Sequence, residues 1–160
     1  MSTTSNLPYH LAPKDLSTEN KPSSQFSQKT ILDLLNAKCS TSLQYLKQVH
    51  AVALRTGHFQ DHYVSGNLVK CYANPHFSNL DFALEVFDNV PKPNVFVFNI
   101  VIKGCLENNE PCKAIWCYYK MMVANARPNK FTYPTLFKAC GAAEAAEEGG
   151  KCMLMWLNKG

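Results

Sequence analysis

The chain has no hydrophobic run that could cross a membrane. Its longest apolar stretches, such as residues 153–157, are far shorter than the roughly 18 residues of a spanning helix. We therefore expect no membrane partner. The 160 residues are 46% apolar, which is enough for a core, and carry a formal net charge of +4. That mild positive excess permits a polyanionic partner without requiring one.

Catalytic and metal-binding motifs are absent from the sequence as well. There is no G-x-S-x-G, Walker-type or Rossmann fingerprint, and the H-x-E and P-C-x-x-C pair of the zinc deaminases is missing. Four residues separate Cys112 from Cys117, which is not the spacing of a zinc knuckle. The histidine pair that such a site would need is also missing. We predict that the chain is not an enzyme and uses no cofactor, metal ion or small-molecule substrate.

Residues 1–27 lack arginine and any helical periodicity, and they are rich in serine and threonine. Such a segment cannot bury enough apolar surface to offset its ordering entropy, so we predict a disordered leader. Two interpretations stay open: a plain flexible leader, or a segment that targets the chain to a plastid or mitochondrion. The hydroxyl-rich, acid-poor composition fits targeting, whereas the missing arginine weakens the mitochondrial form.

The rest of the sequence contains an internal repeat. Residues 92–98 (KPNVFVF) reappear 35 positions later as residues 127–133 (RPNKFTY), and each copy is followed by an apolar run that ends in a lysine and a small residue. A similar run occurs 33 positions earlier, where Lys70 precedes Cys71, and residues 34–37 occupy the equivalent place before that. Registered matches at several places predict a repeat protein.

Each repeat is predicted to contain two helices. The first helices cover residues 62–73, 95–106 and 130–140, where apolar residues recur at helical spacing. The second helices carry Ala83 and Ala114, small residues that permit close approach of a neighbouring helix. Because one helix pair cannot bury its own apolar face, the pairs must stack. The predicted fold is all-α, a superhelical α-solenoid of helix–turn–helix repeats.

The seven cysteines are odd in number and scattered, and no secretory segment precedes them. We therefore predict no disulfide framework and a reducing compartment. Most of them are interpreted as small buried thiols, including Cys105 and Cys140, which occupy matching places in two first helices.

Two families share this architecture. The tetratricopeptide repeat has a period of about 34 residues and an A-x3-F pattern that Ala83 and Phe87 match, but its W-x2-L-G-x2-Y opening is missing here. The pair Phe98-Asn99 and the closing triplet 127–129 (RPN) instead resemble the pentatricopeptide repeat family of plant organelles. The resemblance covers about residues 28–150 and implies binding of single-stranded RNA.

The resemblance also implies repeats of mixed length. These are a long-type repeat at 28–61, a short-type repeat at 62–94, a standard repeat at 95–129 and a truncated long-type repeat with an atypical tail at 130–160. This order matches the mixed-length subclass, whose members commonly specify cytidine-to-uridine editing or RNA-processing sites in plastids and mitochondria. Because the tail departs from the pattern, we interpret the chain as a truncated or alternatively spliced product of a longer protein.

A lysine stands at the same register in each predicted first helix, and none of the three predicted ranges contains an acidic residue. These lysines are Lys70, Lys103 and Lys138. If the first helices line one surface, that surface is positive, as a groove tracking a phosphate backbone needs. The other interpretation is that they are ordinary solvated lysines.

Base-reading positions are implied by the resemblance. It assigns the reader of the standard repeat to Asn99 and its partner to Asn129, while Asn94 closes the preceding repeat. In the family an Asn–Asn pair favours a pyrimidine, because amides can donate and accept at a base edge. Gly66 and Pro134 stand at the reader places of the neighbouring repeats, so the chain offers one complete pair.

Aromatic side chains occupy the place that sandwiches a base in this family: Tyr63, Phe96 and Phe131. Stacking there is worth about 1–3 kcal/mol per base. Alternatives stay open, since Asn99 and Asn129 could cap helix ends and the phenylalanines could pack between helices. At the level of function, the alternatives are a protein-interaction scaffold of the tetratricopeptide kind, which could pair with other RNA-editing factors, and an inactive truncated product.

Overall fold

The computed structural model describes residues 27–38, 42–77 and 79–145. The predictions about the leader and the atypical tail concern residues outside these ranges, apart from Ser27. The described chain forms seven α-helices and two short 3-10 turns, and it contains no strand. The prediction of an all-α protein is confirmed.

The helices follow one another with short connections. They are α1 (Gln28–Lys38), α2 (Leu43–Arg55), α3 (His62–Tyr72), α4 (Leu80–Asp88), α5 (Val95–Glu107), α6 (Pro111–Val123) and α7 (Thr132–Ala145). The 3-10 turns His58–Gln60 and Pro75–Phe77 follow α2 and α3. The three predicted first helices correspond to α3, α5 and α7, with small differences at their ends.

The helices pack as a stack of hairpins. Consecutive helices pair as α1 with α2, α3 with α4, and α5 with α6, while the first helices contact one another in the order α1, α3, α5, α7. Each second helix also packs on the next first helix, α2 on α3, α4 on α5 and α6 on α7. Every hairpin therefore buries its apolar face against its neighbour, which is the α-solenoid arrangement that the repeats predict.

Side-chain caps explain where the helices begin. At the start of α2, the Ser42 hydroxyl accepts a hydrogen bond from the Tyr45 N–H at 3.4 Å. The Asp61 carboxylate accepts from the N–H groups of Tyr63 and Val64, at 2.8 and 3.1 Å, at the start of α3. Gly57, just after α2, has a φ of 74°, a left-handed conformation that costs glycine nothing. The hairpin boundaries are thus encoded locally.

The core consists of the apolar positions that recur along each helix. In α5, Phe98 is 1% exposed, and Ile102 and Cys105 are 0% exposed. The Phe98 ring meets the ring of Phe87 in α4 edge-on, with centroids 5.3 Å apart. Phe98 therefore ties the standard repeat to the one before it.

Small residues let the helices approach closely. Ala83 in α4 and Ala114 in α6 are fully buried, as their positions predict. A Cβ added to Gly104 in α5 would lie 2.7 Å from the Cβ of Ala73. Asn108 Nδ2 spans the same junction and donates to the Ala73 carbonyl oxygen at 2.7 Å. The contact between α3 and α5 leaves no room for a side chain at position 104.

The predictions about cysteine are partly wrong. Cys105 is a buried free thiol, as predicted, and its hydrogen bond to Cys117, together with burial, raises the pKa of the Cys117 thiol. Cys140 is exposed, because no described helix follows α7 to cover it as α6 covers Cys105. Cys71 and Cys112 are both buried, and each of them takes part in a disulfide, contrary to the prediction. A disulfide depends on side chains meeting in space, which spacing along the chain does not reveal.

We expect Gly104→Val to lower the free energy of unfolding by about 1–3 kcal/mol, because the added side chain forces α3 and α5 apart. Gly141→Ala in α7 is the matched control: its new Cβ would meet nothing within 4 Å. That control should raise stability by about 0.5–1 kcal/mol through helix propensity. Urea denaturation followed by circular dichroism measures both. Equal stability of Gly104→Val and the wild type would contradict the close-approach account.

The half-buried side chain of His50 on α2 faces α3. His50 Nδ1 is 3.3 Å from the Tyr72 hydroxyl, and its ring centroid is 5.3 Å from that of Phe59. Burial lowers the pKa of His50 below its ordinary 6.5 and raises the pKa of Tyr72 to about 12. The folded state therefore favours the neutral form of both side chains.

The free energy of unfolding should therefore decrease as the pH is lowered. Because the folded pKa of His50 is lowered, its contribution is present above the unfolded pKa and is lost as pH falls through the folded pKa. We expect a lower melting temperature at about pH 5.5 than at about pH 7.5, and a smaller difference in His50→Gln. The control is His76→Gln in an exposed turn. The same acid loss in all three proteins would argue against His50 as its source.

Candidate functional site

The predicted stacking, reader and lysine positions have the same spacing in three first helices. Each reader position follows its aromatic residue by three places and each lysine follows by seven. Residues at this spacing share one side of an α-helix. We call the resulting surface the first-helix face. It consists of Tyr63, Gly66 and Lys70 in α3, Phe96, Asn99 and Lys103 in α5, and Phe131, Pro134 and Lys138 at α7.

Asn99 and Asn129 meet at the junction of α5 and α7. Asn99 Nδ2 donates to Asn129 Oδ1 at 3.1 Å, although 30 residues separate them along the chain. Asn99 lies within α5, and Asn129 lies in the turn before α7; both side chains are half-buried. The two amides form one hydrogen-bonded unit.

Thr132, which the sequence analysis did not single out, completes this unit. Its hydroxyl donates to Asn99 Oδ1 at 2.7 Å and accepts from the Asn129 N–H at 3.0 Å. Thr132 is only 1% exposed. An asparagine followed three residues later by a hydroxyl side chain at a helix start is a local signal akin to a capping box. The contact with Asn99, across the junction, has no such local signal.

The capping alternative, which was raised for Asn99 and Asn129, fits Asn129 and not Asn99, and Asn94 also acts as a cap. Asn94 Oδ1 accepts from the Val97 N–H at 3.2 Å and caps α5. Asn129 Oδ1 accepts from the Phe131 N–H at 3.0 Å, directly before α7. Asn99 caps no helix. Asn94 and Asn129 thus have a structural role, whatever else they contact.

The three aromatic residues differ in exposure. Phe96 is half-buried and packs on α3, since its Cε1 would lie 2.8 Å from a Cβ at Gly66, and its centroid is 5.2 Å from that of Tyr63. Tyr63 is 58% and Phe131 is 65% exposed. Lys130 Nζ lies 5.3 Å from the Phe131 ring centroid. Tyr63 and Phe131 offer open ring surface, whereas Phe96 is used largely in packing.

Two of the three lysines share a cleft. Lys103 and Lys138 line an open cleft of about 280 Å³ between α5 and α7. Lys70 is exposed on α3 and is not among the lining residues of that cleft. Lys103 Nζ lies 3.5 Å from a carboxylate oxygen of Glu107. The predicted absence of acidic residues does not hold for the whole of α5 and α7, because these helices include Glu107 and Glu144.

Ion pairs connect the second helices. Lys113 Nζ lies 2.9 Å from Asp81, and Lys120 Nζ lies 2.6 Å from Asp88, so α6 is linked to α4 at two places. Burial lowers the pKa of Lys113, but the hydrogen bond to Asp81 and the charge of Glu110 outweigh it, and the pKa is raised overall. Both lysines of α6 that meet α4 therefore have carboxylate partners.

Over the described ranges, no three His, Cys, Asp or Glu side chains come together in a way that could hold a metal ion. The same part of the chain has no helix with the length and apolarity of a membrane span.

Known proteins match this chain in sequence. A model of the PPR repeat family matches residues 93–142. A chloroplastic pentatricopeptide repeat-containing protein of Arabidopsis thaliana is 30% identical over 91% of this chain and 19% of its own length. A second Arabidopsis relative is 36% identical over 69% of the chain and 18% of its own length. A mitochondrial one is 33% identical over 69% of the chain and 16% of its own length.

Stacked hairpins with no strand in the described ranges define the class of helical-repeat proteins. The sequence match within α5 to α7 narrows that class, and the chain belongs to the pentatricopeptide repeat family. The chain spans only about a fifth of the length of these relatives: 19% of the first and 18% of the second.

The cap at α5 can be tested by substitution. Asn94→Ala removes the acceptor of the Val97 N–H and should lower the free energy of unfolding by about 1 kcal/mol. Asn94→Asp keeps an acceptor at that place and should retain most of the stability. Denaturant unfolding provides the measurement. If the alanine and aspartate variants lost equal stability, the capping role of Asn94 would be excluded.

Proposed function

We propose that this chain binds single-stranded RNA along the first-helix face, without catalysing a reaction. The observation that carries the proposal is the hydrogen-bonded Asn99–Asn129 unit beside a cleft lined by Lys103 and Lys138. Asn99 and Lys103 are one helical turn apart on α5, so a base at the amides and a phosphate at the lysines could be bound together. Membership in the pentatricopeptide repeat family supports RNA as the ligand.

The distribution of charge supports a phosphate-binding role for the lysines. Lys113 and Lys120, on the second helices, are paired with carboxylates of α4. Lys70 and Lys138 form no ion pair with another described residue. Lys70 and Lys138 therefore place positive charge without a carboxylate partner on the first-helix face, where it can attract a phosphate backbone. Such charge is not confined to this face, since Lys47 on α2 also forms no ion pair with a described residue.

We propose that the bound base is a pyrimidine at the Asn99–Asn129 unit, with the exposed ring of Phe131 available for stacking. Tyr63 has open ring surface for a neighbouring base. Gly66 and Pro134 offer no amide at the corresponding positions, so the described repeats contain one such pair. We therefore expect weak and salt-sensitive binding.

The relatives suggest where such an RNA would be. One is named chloroplastic and another mitochondrial. We propose an organellar transcript, in a plastid or mitochondrion, as the target. Specifying an RNA-editing or RNA-processing site is the biological role we propose for that binding, together with other RNA-editing factors. An RNA crosslinking experiment in purified organelles would test both parts.

A protein-interaction scaffold is the second candidate. It is favoured by exposed apolar side chains near the α6–α7 end, where Phe137 is 72%, Val123 is 64% and Met122 is 49% exposed. Recovery of a defined protein partner that survives nuclease treatment would favour this role. Absence of a cooperative transition in a circular-dichroism melt would instead favour an inactive product.

Charge reversal provides the main test of RNA binding. We expect the triple variant Lys70→Glu, Lys103→Glu and Lys138→Glu to bind oligouridine much more weakly than the wild type at low salt. The slope of log K against log salt should fall by about 2, since each phosphate contact on a single strand contributes about 0.7. Fluorescence titration across a salt series measures both effects.

The control for this experiment carries the same change in net charge elsewhere. Lys29→Glu, Lys47→Glu and Arg55→Glu alter exposed residues of α1 and α2, outside the first-helix face. This variant should keep most of the wild-type affinity. Equal weakening in both triple variants would mean that overall charge, and not this face, attracts the RNA.

A further inference from the structure

The Thr132 hydroxyl lies between the two asparagines and forms hydrogen bonds with both of them. The Thr132 oxygen accepts from the Asn129 N–H at 3.0 Å, so its own proton is available to donate. Asn99 Oδ1 lies 2.7 Å away, and Asn129 Oδ1 lies farther, at 3.3 Å. The shorter contact is therefore the principal acceptor, and the hydroxyl binds Asn99.

The orientation of the Asn99 and Asn129 side-chain amides is determined by a series of hydrogen bonds that begins at the Phe131 backbone. The Phe131 N–H can only donate, so the Asn129 atom 3.0 Å from it must be the oxygen. The Asn99 atom that lies 3.1 Å from this oxygen must be a donor, because two amide oxygens cannot form a hydrogen bond with each other. It is therefore Nδ2. Asn99 Oδ1 is then turned to the other side, where the Thr132 hydroxyl donates to it. Each hydrogen bond fixes the next.

This arrangement leaves donors, and few acceptors, for a ligand. Asn129 Oδ1 already accepts from the Phe131 N–H and from Asn99 Nδ2. Among the described residues nothing accepts from Asn129 Nδ2, and Asn99 Nδ2 uses one of its two protons. The pair therefore offers N–H groups. The Watson–Crick edge of uracil or cytosine carries two acceptors, whereas that of adenine or guanine carries one.

The junction between α3 and α5 lacks both the hydroxyl and the first amide. There Val97 takes the place of Thr132 and Gly66 takes the place of Asn99. Asn94 Oδ1 accepts from the Val97 N–H, and its side chain makes no other hydrogen bond with a described residue. The hydroxyl bridge thus exists at the α5–α7 junction and not at the α3–α5 junction.

We propose that Thr132 is a positioning residue for base recognition, which orients the Asn99 and Asn129 amides so that their donors face a pyrimidine. The assignment rests on the proposed RNA-binding function. Thr132, 1% exposed, acts through the asparagines and does not itself touch the base.

The test compares Thr132→Val, which keeps the shape and removes the hydroxyl, with Thr132→Ser, which keeps the hydroxyl. The first readout needs no RNA: the side-chain amide resonances of Asn99 and Asn129 in a nitrogen-15 spectrum. Thr132→Val should shift them, Thr132→Ser should leave them near their wild-type positions, and the Asn94 amide serves as the internal reference. Thr132→Ala provides the same comparison if valine disturbs the start of α7.

The second readout is the ratio of affinities for oligouridine and oligoadenosine. We expect Thr132→Val to reduce the wild-type preference for oligouridine by roughly 2- to 10-fold, the effect of one hydrogen bond. Thr132→Ser should preserve the preference. A merely structural role would weaken both oligonucleotides alike and leave the ratio unchanged.

The outcomes separate this assignment from the function on which it rests. Unshifted asparagine resonances in Thr132→Val, or an unchanged ratio beside a selective wild type, would overturn the role of Thr132 while RNA binding stands. A wild-type chain that binds neither oligonucleotide at low salt would overturn the RNA-binding function and the assignment with it.

Discussion

The close contact between successive first helices is the constraint on which the structure depends. Gly104 lies against Ala73, with no room for a Cβ, and Gly66 lies beneath the ring of Phe96. Because protein interiors are densely packed, such contacts fix the spacing and rotation of neighbouring helices. The first-helix face is continuous from α3 to α7 only because each first helix is seated directly on the one before it.

The same backbone arrangement produces two different junctions. Between α3 and α5, Gly66 leaves space that Phe96 occupies. Between α5 and α7, Asn99 stands at the equivalent place, and the ring of Phe131 is 65% exposed. One change from glycine to asparagine thus accompanies the change from an apolar packing contact to a polar site with an open aromatic ring. A repeat scaffold can change the chemistry of a single junction in this way without altering its fold.

Most of the fold could be predicted because it depends on local spacing. The periodicity of apolar residues indicated α3, α5 and α7, since helical geometry decides which side chains share a face. The prediction for Cys140 was wrong for a related reason: burial depends on the helix that covers a residue, and no described helix covers α7 on that side. The state of Cys71 also required contacts that spacing does not encode.

The sequence by itself determined the repeat, the hairpins and the common register of the lysines, because each depends on residues within a few helical turns of one another. The tertiary structure alone decided that Asn99, Asn129 and Thr132 form one hydrogen-bonded unit, and that Lys113 and Lys120 find their partners on α4. Hydrogen bonds and ion pairs need atoms about 3 Å apart. Only the packed spacing of the helices brings groups about thirty residues apart in the sequence to that distance.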